Sequence, residues 1–137
     1  MNIHLLLKQK KMLVSAIVRK NRLIFCPYFN KNIIINSDGL HHLRYSSRRE
    51  RPKKEQLLRL SLVPIGLSII KKSGTLQEYR IFNSQKITEY WAFIAICQYG
   101  NQEYGQRIKI ILKRTGNGNI IFWSVMKLNN KQKTPRN

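Results

Sequence analysis

The stretch that decides the fold is RIKIILKRTGNGNIIFWSVMKL, residues 107–128. Two runs rich in β-branched and aromatic residues, Arg107–Arg114 and Ile120–Leu128, flank Gly116-Asn117-Gly118-Asn119. That pairing of strand-forming runs with turn chemistry predicts an antiparallel hairpin. Alternation places Ile108, Ile110, Leu112 and Arg114 on one side of the first strand and Arg107, Lys109 and Lys113 on the other. In the second, Phe122, Ser124 and Met126 share a side, and Ile121, Trp123 and Val125 share the opposite one.

Working towards the N-terminus, Thr75–Phe82 and Tyr90–Cys97 have the same composition, with turns expected at Asn83-Ser84 and Tyr99-Gly100-Asn101. From Ser68 onward the chain therefore reads as a meander of about four strands. The first half reads as helical. Apolar residues recur at helical spacing over 3–20, with Lys8, Lys10, Lys11 and Arg19 on the other side. Such a basic amphipathic helix can lie on a membrane surface or dock on the domain with a solvated charged face. Leu23–Cys26 and Ile33–Ile35 read as a hairpin or two edge strands. Ser37 or Asp38 can cap a helix carrying Leu40 to Tyr45, and a further helix starts near Pro52 and ends or kinks at Pro64. Helices followed by a meander predict an α+β domain, with helices packed on a roughly four-stranded antiparallel sheet. The expected organisation is a basic helix over 1–21, a single domain over 22–128 and a flexible tail over 129–137.

Charge narrows the partners. Among 137 residues, Lys and Arg number 26 against 6 Asp and Glu, a formal net charge of +20. Compositional drift towards Lys would raise Glu as well, so the imbalance points to a polyanion, with RNA (mRNA, tRNA or rRNA) the favoured one. Cys26 and Cys97 stand far apart with no C-x-x-C pairing, which fits thiols in a reducing compartment rather than a zinc site or disulfide framework. No apolar run reaches the span of a bilayer. These features lead to the expectation of a cytoplasmic protein with no membrane partner.

The acids also constrain chemistry. Asp38, Glu50, Glu55, Glu78, Glu89 and Glu103 are scattered, whereas a two-metal nuclease site needs clustered carboxylates. No P-loop, dinucleotide fingerprint or nucleophile elbow occurs. Neither a metal nor a cofactor is expected, so acid–base work falls to His, Tyr, Lys or Arg. His41 and His42 sit beside Arg44, Arg48 and Arg49, and imidazole is the group suited to proton transfer near neutrality. On one helix the two point about 100° apart, so one faces the core while the other looks outward. Lys72, Lys109, Lys113 and Arg114 are further candidates for phosphate contacts, and Tyr90 with Trp91 for base stacking. Arg80, on the side of Leu76 and Phe82, is either paired, as with Glu78, or available to an anion. These groups suit a metal-free cleavage in which the ribose 2′-hydroxyl attacks its own phosphate.

Gly39-Leu40-His41-His42-Leu43, the helix leading to Val63-Pro64, Gln77-Glu78-Tyr79-Arg80 and Trp123-Ser124-Val125-Met126 together resemble the barnase–EndoU–colicin–RelE-like nuclease superfamily, in its phage- and mobile-element-associated branch. The likeness spans roughly residues 33–128. It implies a toxin-type endoribonuclease in which His42 or His41 is the acid/base, Arg80 and Arg114 bind phosphate, and Ser124 positions the substrate. It also implies an acidic antitoxin or immunity protein as a second partner. The family often has a second His several residues after the first, where this chain offers Arg48 or Arg49. The competing function is a non-catalytic RNA-binding module, associated with a ribosome or an intron.

Overall fold

Gly116 takes a left-handed conformation (φ +58°) between two long strands, the backbone state in which glycine carries no Cβ penalty. The structure, a computed structural model, describes residues 2–47, 49–98 and 105–128. Within them the order is α1 (Ile3–Lys20), β1 (Leu23–Cys26), β2 (Lys31–Ile34), α2 (Ser37–Arg44), β3 (Tyr45–Ser46), β4 (Arg49–Glu50), α3 (Lys53–Ser61), α4 (Val63–Lys72), β5 (Glu78–Asn83), β6 (Ile87–Cys97), β7 (Gln106–Thr115) and β8 (Ile121–Lys127). The α+β class and the predominantly antiparallel sheet agree with the sequence reading. The expected turn at 99–101 and the tail from 129 lie outside the described residues.

The sheet has six strands, in the order β1-β2-β8-β7-β6-β5, and not roughly four. β5 to β8 form the anticipated meander of antiparallel neighbours. The extra strands arise because the β1–β2 hairpin closes onto β8 in parallel, at the single register pair Ile34↔Ile121. The Ile34 amide donates to the Ile120 carbonyl at 3.0 Å. A contact between segments so remote in sequence leaves no trace in local periodicity. Two further corrections concern helices. Pro64 does not simply end a helix: it sits in the first turn of α4, where its missing N–H costs nothing. The run Ser68–Lys72, expected to lead into strands, therefore belongs to that helix. The cap of α2 is Asn36, whose side chain accepts from the Asp38 amide at 3.0 Å, one or two residues before the expected positions.

The core lies between the sheet and the helices. Ile108, Ile110 and Leu112 are fully buried on the helix-covered face of β7, while Arg107, Lys109, Ile111 and Lys113 alternate on the other, partly exposed face. A Cβ added at Gly66 of α4 would meet Ile110 Cδ1 at 2.6 Å and Val125 Cγ2 at 3.4 Å, so this helix lies directly on β7 and β8. Leu7, Val14 and Val18 bring α1 into the same core. One alternation fails. In β8, Phe122 pairs with Leu112 and Val125 with Ile110, which puts both on the helix face. The register shifts between them, leaving Trp123 as the extra residue of a β-bulge.

Candidate functional site

The bulge is the floor of the site, and a glycine brings a helix down onto it. Gly39, in the first turns of α2, packs so close to β8 that a Cβ would overlap the Phe122 carbonyl oxygen. Residues three apart share a helix face, so the same approach delivers His42 to the bulge. Its ring stacks on Trp123 with centroids 4.5 Å apart and planes inclined at 23°. The Lys113 ammonium, from the neighbouring strand, stands 3.8 Å from the same indole centroid, a cation–π contact.

The other side of His42 is walled by guanidiniums. Arg51 donates from Nε to the His42 carbonyl at 3.1 Å, and its Nη2 lies 3.4 Å from His42 Nε2. Arginine can only donate, so Nε2 is the accepting nitrogen and the neutral imidazole carries its proton on Nδ1. Glu55 Oε2 receives both Arg51 Nη1 at 2.8 Å and Arg59 Nε at 3.0 Å. Arg59 Nη1 then donates to Ser124 Oγ at 3.0 Å, beneath a fully buried serine. The guanidinium side chains are only 10% and 14% exposed, and a single carboxylate joins them. With Lys113 included, three cations converge on His42.

Electrostatics follow from this geometry. Burial first, then the charges of Arg51, Arg59 and Lys113, lower the His42 pKa to about 4. The imidazole is therefore neutral at physiological pH, with its Nε2 lone pair turned towards the Arg51 guanidinium. Burial also lowers the Lys113 pKa, partly offset by Asp38, which makes its ammonium a readier proton donor. A bound phosphate would offset the field of these cations at His42 and raise its affinity for a proton.

Of the residues singled out in the sequence, His42, Ser124 and Lys113 are brought together here. His41 is exposed and stacks on Tyr45 at 4.5 Å, lining a separate cleft with Lys11 and Arg44. Arg44 lies over the Tyr45 ring at 5.4 Å and reaches Gln56 Oε1 at 3.4 Å. Arg49 is exposed on β4, and Lys72 is exposed at the end of α4. Arg48 lies outside the described residues. Lys109 pairs with Glu78 at 2.9 Å, and Arg114 grips Glu89 with Nε at 3.0 Å and Nη2 at 2.7 Å, so both face carboxylates. Arg80 is exposed on β5, three strands from β8, in a cleft with Phe82, Tyr90 and Lys109.

Sequence reasoning missed Gly39, Arg51, Glu55, Arg59 and Trp123 as members of one site. The signal was present in the spacing. Arg51, Glu55 and Arg59 recur every four residues, which lines them up on one side of a helix and its leading turn. Among the described residues no three His, Cys, Asp or Glu side chains gather into a group able to hold a metal ion. No protein-family model, no curated protein and no solved structure matches the chain.

Proposed function

We propose that the chain is a metal-independent endoribonuclease of toxin type, acting on mRNA or tRNA in the cytoplasm, with its reacting phosphate held beside His42. The observation that supports this most strongly is the convergence of a neutral, half-buried imidazole with three cations and a buried hydroxyl. Guanidiniums that are already largely desolvated and fixed in place stabilise charge that develops on a phosphorane with little reorganisation.

In this mechanism Arg51 turns from His42 Nε2 to the phosphate, and the freed Nε2 takes the proton from the ribose 2′-hydroxyl. The 2′-oxygen attacks phosphorus as the bond from phosphorus to the 5′-oxygen breaks. Arg51 and Arg59 compensate the charge on the non-bridging oxygens, and the Lys113 ammonium supplies the proton that leaves with the 5′-oxygen. The products are a 2′,3′-cyclic phosphate and a free 5′-hydroxyl. The need for a 2′-hydroxyl confines the activity to RNA. Ser124 acts through Arg59, fixing the direction of its guanidinium. On this reading the domain is a six-stranded variant of the barnase–EndoU–colicin–RelE-like nucleases, and an acidic antitoxin-like protein would silence it by covering the cationic cluster.

The test is incubation of the purified chain with RNA in EDTA, with analysis of the new ends. Cleavage leaving cyclic phosphates is expected, and His42→Ala and Arg59→Ala should each slow it about 10²- to 10⁴-fold. Intact RNA at stoichiometric protein would overturn the nuclease reading. Tight, salt-sensitive binding of that intact RNA, equal in wild type and His42→Ala, would establish the non-catalytic RNA-binding module instead.

A further inference from the structure

Helix α1 has two apolar sides, and the fold uses only one. Leu7, Val14 and Val18 are buried against the domain. On the outward side Met12 is 65% exposed, Leu13 59%, Leu5 45% and Leu6 38%. Leu5 and Met12 stand seven residues apart, as do Leu6 and Leu13, so they form two adjacent rows along the axis. Lys8 and Arg19 are exposed at one border of these rows and Lys10 lies at the other, Gln9, Ala16 and Lys20 are exposed between them, and the helix contains no Asp or Glu.

We infer that this outward face of α1 docks on an anionic lipid surface, with the helix axis in the plane of the membrane. Two requirements select the partner. The rows of Leu and Met call for hydrocarbon, and the surrounding ammonium and guanidinium groups call for negative charge. A second copy of this chain offers the apolar surface but brings its own net charge of +20 against the first. RNA offers the charge but no hydrocarbon to cover four large apolar side chains. A headgroup layer containing anionic lipids offers both, at the depth where an amphipathic helix lies. No helix among the described residues is long and apolar enough to cross a membrane, so the contact is peripheral. The inference departs from the expectation of no membrane partner because periodicity alone could not say which apolar residues of α1 the core would leave outside. It does not rest on the nuclease reading.

The experiment is sedimentation of the full chain with vesicles of phosphatidylcholine, with and without phosphatidylglycerol. The wild type should sediment with the anionic vesicles and stay in solution with the neutral ones. Met12→Gln with Leu13→Gln should weaken vesicle binding about tenfold while melting at the wild-type temperature. Lys8→Gln with Arg19→Gln, which spares the apolar rows, should also weaken it. Absence of vesicle binding overturns the inference. So does undiminished binding by the Met12/Leu13 variant, which would mark simple attraction of a basic chain. A dimer in light scattering that this variant dissolves would assign the face to a second copy and overturn it equally.

Discussion

His42 is unprotonated in the folded chain until pH falls to about 4, because burial and the cations Arg51, Arg59 and Lys113 oppose its charge. The unfolded chain protonates the same side chain near its ordinary value of about 6.5. Between those two values the unfolded state binds the extra proton, so stability present above about pH 6.5 is lost as pH falls and levels off below about 4. For a half-buried group the loss is about 1–2 kcal/mol after solvent screening. Denaturant titrations from neutral to acid pH should show His42→Gln losing less stability than wild type by that amount. Arg59→Gln removes one of the opposing charges, so the His42 imidazole should titrate at higher pH in NMR, and saturating phosphate should raise it in the wild type. His42 and Lys113 could be singled out from residue type and neighbours, whereas Ser124 entered only through the family resemblance. Arg114 and Lys109 were weighted as phosphate contacts because cross-strand register, which hands them Glu89 and Glu78, cannot be read from a single strand.

At the scale of elements, the approach of α2 to β8 decides whether the site exists. Gly39→Ala places a methyl against the Phe122 carbonyl, which is backbone and cannot rotate away. The helix must lift, at a cost of about 2 kcal/mol, and the stack of His42 on Trp123 should be lost. Thermal melting and indole fluorescence would register both effects. Gly66→Ala meets the far end of the Ile110 side chain, which can turn aside, so its cost should be the smaller of the two. The strands β5 to β8 were legible because alternation and turn residues are local signals, and the same holds for α1. The bulge at Trp123 was not, since nothing in Ile121–Met126 distinguishes a strict alternation from a shifted one. Nor was α4, where Gly66 and a nearly continuous apolar run after Pro64 carry no helical period.

At the scale of the whole molecule, the formal charge of +20 works against compactness. Screening by salt should therefore raise the melting temperature, and inorganic phosphate should raise it further at equal ionic strength by binding the native cation cluster. Equal melting temperatures in chloride and phosphate would argue against an anion site at His42. The stack between α2 and β8 has a further consequence, which concerns time. His42, Arg51 and Arg59 belong to the first half of the chain, whereas Lys113, Trp123 and Ser124 arrive with its last two strands. During synthesis the early half leaves the ribosome without the serine that aims Arg59 or the indole that seats the imidazole. On the proposed ribonuclease reading, a nascent chain would stay inert beside the very RNA that encodes it until its final strand has emerged and paired.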